Sequence, residues 1–369
     1  MSGAGPVGVG VVGAGKISDQ YLANMARYPD LDVRFVADLH PHLARAQAER
    51  HGVADAGTTE QALARDDVEL VVNLTVPAAH AEVASAALSA GKHVFNEKPI
   101  TPDLASAEAL IAQADAAGLR LGCAPDTFLG PGLQTMRRML EAGRIGTPLT
   151  ASVVMQSAGP HRWHPNPDFL YQPGAGPLFD IGPYYLTALA QAFGPIARVA
   201  ARGTTAAPTR VIGAGPRAGE RIPVAVPTHV VALYEFESGA QAQATFSFDT
   251  PLERMGVLEI TGADATLVAT DPNTFAGEIR INRGGEAWES VPAAGVDHGR
   301  GIGAVDMARA IRSGGAHSTD ARLGLHVLDA MVATATSIET ATFVEITSRF
   351  DPVAALPEDW DPTELTLAG

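Results

Sequence analysis

Cysteine is almost missing from this sequence. A single one, Cys123, stands among 369 residues, so no intrachain disulfide can form and no thiolate-based zinc site is available. Cys123 sits in the apolar stretch 121–124, where burial as a small hydrophobe is the ordinary expectation. Basic residues are also scarce: 26 Lys and Arg against 41 Asp and Glu leave a formal net charge of -15. Such a chain repels a phosphate backbone, and no Lys/Arg cluster offsets that locally, which argues against nucleic acid as a partner. No uncharged apolar run reaches the roughly 18 residues a bilayer-spanning helix needs. The N-terminal stretch "MSGAGPVGVGVVGAG" lacks the basic region of a secretion signal and runs directly into an apolar segment, so cytoplasmic residence is expected. The histidines of "HRWHPNPD" match no helical H-x-x-x-H or zinc spacing, and no metal is expected.

What is present divides at about residue 125. Up to there, short β-branched runs ("VGVGVV", "DVRFVA", "VELVVNL", "KHVF", "LRLGC") alternate with longer Ala-rich segments. Continuous apolar runs are the mark of strands buried on both faces, and the segments between them are long enough for crossover helices. The expectation is an α/β Rossmann-like domain, a doubly wound parallel sheet, over residues 1–125. Beyond it, strand-like runs such as His229 to Phe236 and Gln241 to Phe248 are separated by turn signals such as Ser238-Gly239, which predicts a mostly antiparallel sheet in an α+β domain over 126–369. Helices are expected at Gly132 to Glu141, from near Asp180, at Ile302 to Ile311 and at Ala321 to Thr340. The Pro/Gly-rich segments 159–177 and 206–227 read as loops.

Three strand ends carry chemistry. "VGVGVVGAGKIS" closes the first strand with Gly13 and Gly15 and has Ser18 where a dinucleotide fingerprint has its third glycine. The chemistry needs a sharp turn at Gly13 and no side chain at Gly15, so that a pyrophosphate meets backbone N–H groups at a helix N-terminus; Lys16 and Ile17 complete the expected cofactor turn. Asp38 ends the second strand 23 positions after Gly15, where a carboxylate accepts from an adenosine ribose. No arginine follows it, which favours NAD over NADP. The plain alternative makes this a strand-helix turn with Asp38 as a cap. "NLTVPAAH" brings Thr75 and Pro77 to the carboxyl edge of the sheet, with His80 one turn further on, facing either cofactor or solvent. "GKHVFNEKPI" then places Glu97 and Lys98 at the same edge, where an ammonium stabilises a developing alkoxide and lowers the pKa of a neighbouring acid.

With "VGAGKIS", "NLTVPAAH", "GKHVFNEKPI" and "GPLFDIGPYYLTAL" together, the chain resembles the Gfo/Idh/MocA family, the relatives of glucose-fructose oxidoreductase and inositol dehydrogenase, over nearly its whole length. The resemblance implies a Rossmann domain followed by an α+β domain with a large open sheet. It also implies hydride transfer between a nicotinamide and a carbinol or keto carbon, usually of a sugar or cyclitol. It makes Lys98 the lysine of the family's E-K-P element, Glu97 an orienting group near the cofactor ribose, and Pro125 a contact at the nicotinamide end, along with Asp126 and Thr127.

The family's Asp and, four residues later, His correspond here to Asp180 and Tyr184. A free tyrosine, with a pKa of roughly 10, is a poor base at neutral pH unless a lysine lowers it. Either Tyr184 works with Lys98, or Asp180 takes the proton and Tyr184 positions the substrate. Pro183 is ordinarily tolerated only in a first helical turn, which puts the i, i+4 geometry in question; the bland reading makes Asp180 a cap and Tyr184 packing. Upstream, Trp163 and His164 suit a sugar, whose C–H faces stack on aromatics while its hydroxyls take hydrogen bonds. His161 and His164 are the nearest candidates for the missing histidine.

The leading function is an NAD(P)-dependent dehydrogenase or reductase of a sugar, cyclitol or glycoside hydroxyl. Two alternatives use the same residues: a hydrolase or lyase that keeps NAD bound through a transient ring oxidation, and a non-catalytic dinucleotide-binding regulator. A homodimer or homotetramer assembled through the open sheet is expected by the same resemblance.

Overall fold

The computed structural model describes residues 4–367; residues 1–3 and 368–369, the outer ends of the two expected domains, lie outside the described residues. Packing divides the chain into two units. One takes the chain up to Pro131 together with Gly295–Leu328 and the stretch from Phe350 onward; the other takes Gly132–Ala294 and Asp329–Arg349.

The first unit is built on six parallel strands: β1 (Val7–Val12), β2 (Leu31–Ala37), β3 (Asp55–Gly57), β4 (Leu70–Asn73), β5 (His93–Asn96) and β6 (Leu121–Cys123), in the order β3-β2-β1-β4-β5-β6. This is the doubly wound order, with its switch point between β1 and β4. Both of those strands are buried at every residue, as their unbroken apolar runs require. Their register aligns Ala37, Val12, Asn73, Asn96 and Cys123 in one row, so the strands end together at one carboxyl edge.

Two later segments belong to this unit, although a contiguous second domain from residue 126 was expected. The physical reason is apolar. Ala304, Val305, Met307 and Ala308 of the helix Ile302–Ser313 join Val9, Val11, Leu70, Val72 and Phe95 in one core, each large side chain contributing roughly 1.5–3 kcal/mol by burial. Polar ties reinforce it: Arg309 pairs with buried Asp30 at 2.7 Å and Arg312 with Glu69 at 2.6 Å. The helix starts after Gly301, which has no side chain to cap it; Asp126 does so from outside, its Oδ2 accepting from the amides of Gly301 (2.7 Å) and Gly303 (3.2 Å).

The second unit holds a nine-stranded sheet in the order Glu289–Val291, Ile279–Asn282, Thr266–Val268, Arg254–Gly262, Pro148–Gln156, Gln241–Ser247, His229–Phe236, Ile196–Thr204, Val344–Glu345. Every neighbouring pair is antiparallel except Pro148–Gln156 with Gln241–Ser247. One face is covered. Val230, Ala232, Tyr234 and Phe236 alternate inward, and the helix Gly176–Phe193 packs on this face with Tyr185 against Phe246 and Phe193 against Phe236. The opposite face leaves Val231 and Leu233 exposed. Segment 206–227 is more than a loop, since Thr209–Val211 and Arg221–Pro223 pair as a two-stranded ribbon.

Candidate active site

The switch point opens beside the glycine turn. Gly13 adopts φ 106°, and a Cβ there would stand 2.7 Å from the Leu74 carbonyl group, so only glycine lets the turn close against the end of β4. Gly15 is the opposite case: an added Cβ would meet nothing within 4 Å, which leaves open space over the turn for a ligand. Lys16 is exposed and Ile17 half-buried, and the helix Ser18–Met25 begins without a side-chain cap, its Ser18 and Gln20 amides bonded to the carbonyls of Gly15 and Ile17. Ser18, standing in for the third glycine, is buried and tied inward, its hydroxyl donating to the Gly15 carbonyl at 2.6 Å and accepting from Gln47 at 2.9 Å. Asp38 accepts from the amides of Ala14 and His40, both at 2.8 Å, so its half-buried carboxylate braces the glycine turn and keeps lone pairs for a ribose. The next residue, Leu39, is 87% exposed and carries no charge for a 2′-phosphate. These residues fit a dinucleotide.

At the ends of β4 and β5 stands a pair of buried asparagines that sequence reasoning missed, although both "VVN" and "VFN" finish an apolar strand on the same amide. Asn73 donates to Asn96 Oδ1 at 3.0 Å, and its own Oδ1 accepts from the Thr75 amide and hydroxyl. Thr75 is half-buried, and Pro77 is exposed at the edge. Glu97 and His80, expected as cofactor contacts, are turned into the interior. Glu97 is 8% exposed: its Oε2 accepts from the Lys98 amide at 2.8 Å, its Oε1 accepts from the Tyr21 hydroxyl at 2.8 Å, and the Arg300 guanidinium stands 3.9 Å away. Burial, then the Glu97 charge, pushes the Tyr21 phenol far up, so it remains a donor. His80 is 1% exposed, with Nδ1 2.7 Å from the Pro99 carbonyl and Nε2 3.0 Å from that of Thr75. Burial lowers its pKa, against the pull of the two carbonyls, which can only accept and so call for an N–H on the ring nitrogen that faces each.

Lys98 itself is half-buried just past β5, and the Lys98–Pro99 and Ala124–Pro125 peptide bonds are cis. Pro125 is buried. Asp126, raised to about 6 by burial, is wholly buried at the helix start described above and not on an open edge. Neither Tyr21 nor Arg300 carried a sequence signal, since nothing near either one points to Glu97.

In the second unit, Asp180 and Tyr184 both lie inside the helix Gly176–Phe193, Asp180 half-buried and Tyr184 5% exposed. Asp180 is therefore not the N-cap, and the helix runs straight through Pro183. Gly182 removes one of the obstacles, because the residue before a proline is kept out of the α region partly by its Cβ, and glycine has none. The i, i+4 relation holds, and both side chains follow one helix face. Upstream, Trp163 is 65% exposed and stacks edge-on with His164, which in turn meets exposed Phe169. His164 Nδ1 accepts from the Asn166 amide at 3.1 Å. His161 is buried against the Tyr171 hydroxyl at 2.7 Å, and burial lowers its pKa. Among the described residues no group of three or more His, Cys, Asp or Glu is arranged to hold a metal ion, and no helix is long and apolar enough to cross a membrane.

Residues 7–124 match the model of the oxidoreductase family with an NAD-binding Rossmann fold, GFO_IDH_MocA, and residues 133–268 match the GFO/IDH/MocA C-terminal domain. The chain is 30% identical over 323 residues to dTDP-3,4-didehydro-2,6-dideoxy-alpha-D-glucose 3-reductase of Actinomadura kijaniata, covering 84% of this chain and 89% of that one. It is 30% identical over 152 residues to inositol 2-dehydrogenase 3 of Saccharopolyspora erythraea, covering 40% and 44%. Among solved structures, a levoglucosan dehydrogenase in complex with NADH and L-sorbose superposes with a TM-score of 0.81 over 93% of this chain and 99% of that one; at 22% identity it speaks for the fold alone.

Proposed function

This chain belongs to the GFO/IDH/MocA family of NAD-binding oxidoreductases, and we propose that it moves a hydride between NAD and a hydroxyl or keto carbon of a sugar, cyclitol or glycoside. The observation that carries this reading is Lys98, a half-buried lysine at the carboxyl edge of a doubly wound sheet whose glycine turn fits a dinucleotide. NAD supplies the hydride acceptor or donor. The Gly13–Ile17 turn binds its pyrophosphate, Asp38 its ribose, and Thr75, Pro77 and Pro125 flank its nicotinamide half. Lys98 stabilises the alkoxide that develops as the carbinol proton leaves. Asp180 accepts that proton, and Tyr184 orients the substrate oxygen. The exposed Trp163 and its neighbour His164 suit the C–H faces and hydroxyls of a polyol. The relatives that act on a dTDP-sugar and on inositol support the substrate class.

A screen of NAD+ reduction across monosaccharides, inositols and glycosides, with Lys98→Ala as control, tests this. Net NADH accumulates on at least one polyol, and Lys98→Ala abolishes turnover while dinucleotide binding survives. Near wild-type activity in that variant would remove Lys98 from the chemistry. Turnover of a glycoside without net NADH would mark the NAD-retaining hydrolase or lyase instead. The protein works in the cytoplasm as a homodimer or homotetramer joined through the open face carrying Val231 and Leu233; a monomer mass in sedimentation velocity at micromolar concentration would refute the assembly.

A further inference from the structure

We infer that the Lys98 turn is held by a buried three-point clamp on its backbone, and that Glu97, His80 and Asn96 are positioning residues of the reaction. Three consecutive residues are gripped in turn. Glu97 Oε2 accepts from the Lys98 amide at 2.8 Å, His80 Nδ1 donates to the Pro99 carbonyl at 2.7 Å, and Asn96 Nδ2 donates to the Ile100 carbonyl at 3.0 Å. As whole residues, all three are more than nine-tenths buried. Burying polar groups is costly unless each finds a partner, and here each partner is a backbone group of the turn that carries the amine.

The clamp is itself braced. Glu97 is held from behind by the Tyr21 hydroxyl, with Arg300 contributed by a segment some 200 positions away in the chain. His80 faces the Thr75 carbonyl as well, which ties the proposed nicotinamide-side loop to the lysine turn. A turn has no ladder or helical repeat to fix it, and a displacement of about 1 Å at a reacting group costs on the order of 100-fold in rate. Buried and bonded to the backbone of the turn, these residues act through Lys98.

The inference rests on Lys98 being catalytic, and the experiment separates the two claims. Glu97→Gln, His80→Gln and Tyr21→Phe are made in the full chain, each alone, beside Lys98→Ala. For the first two, kcat falls roughly 10- to 100-fold, with KM for NAD, NADH affinity by fluorescence and Tm close to wild type. Tyr21→Phe, which removes one hydroxyl from behind Glu97, lowers kcat severalfold. If Lys98→Ala is dead while Glu97→Gln and His80→Gln keep kcat within twofold, the clamp is wrong and Lys98 stands. If Lys98→Ala is active, the reading beneath it is wrong. Losses of Tm and NADH binding with unchanged kcat in the folded fraction would reduce these residues to packing and overturn the inference. Should the two clamp variants not fold, an unchanged kcat in Tyr21→Phe overturns it alone.

Discussion

Lys98 and the Asp180–Tyr184 pair acquire their geometry by opposite means. Asp180 and Tyr184 sit on a continuous helix, and its repeat alone puts them on one face. Lys98 follows a strand end where the ladder stops, and buried side chains supply the hydrogen bonds the backbone cannot make for itself. The difference teaches where each half is vulnerable. On the helix a substitution acts through the side chain it removes; at the turn, the backbone geometry is spread over several buried side chains that grip it.

The largest test of that contrast is Asp180→Asn, which keeps the shape of the side chain and replaces the carboxylate proposed as proton acceptor by an amide that cannot take a proton. Its kcat falls roughly 10²- to 10⁴-fold, with NADH affinity by fluorescence unchanged. Tyr184→Phe on the same face gives a smaller loss, roughly 10- to 100-fold, the worth of one hydrogen bond to a charged partner. A larger loss from Tyr184→Phe than from Asp180→Asn would exchange their roles.

A subtler test concerns stability in acid. The first unit half-buries His93 and His298 and buries His317, whose pKa values this desolvation lowers to about 4, and it buries Asp126 and Asp306, which burial raises to about 6. Below the ordinary histidine pKa the unfolded chain binds protons that the native histidines refuse, so stability falls as pH drops from about 6.5 toward 4. The two aspartates oppose this between about 6 and 4, because the native state holds their protons and the unfolded chain does not. Three groups outweigh two, and chemical denaturation at pH 6.5 and 4.5 should show the lower pH to be the weaker. Asp126→Asn keeps a neutral acceptor for the Gly301 and Gly303 amides and removes one opposing group, so its acid slope steepens. A slope unchanged by that substitution would mean that Asp126 titrates alike in both states.

Much of the parallel sheet was legible because its strands are unbroken apolar runs at crossover spacing. β3 was not: Asp55–Gly57 is three residues long with no apolar run, and its pairing with β2 alone makes it a strand. The helix carrying Asp180 starts at Gly176, earlier than a proline at 183 suggests, since a proline is ordinarily at home only in a first turn. Within the site, Gly13, Gly15, Asp38 and Lys98 were legible from local chemistry. The inward turn of Glu97 and His80 was not, because their partners Tyr21, Arg300 and the Pro99 carbonyl are chosen by packing.

The sequence by itself determined what acts over a few residues: the strand and helix periods, the glycine turn, the acid after β2, and a lysine locked between a glutamate and a proline. Only the tertiary structure decided which side chains buttress that lysine and which late segments join the first core. Steric and capping rules reach one turn along a chain, whereas a hydrogen bond between residues 126 and 301 exists only once the burial of Phe95 against Ala304 and Met307 has brought them together.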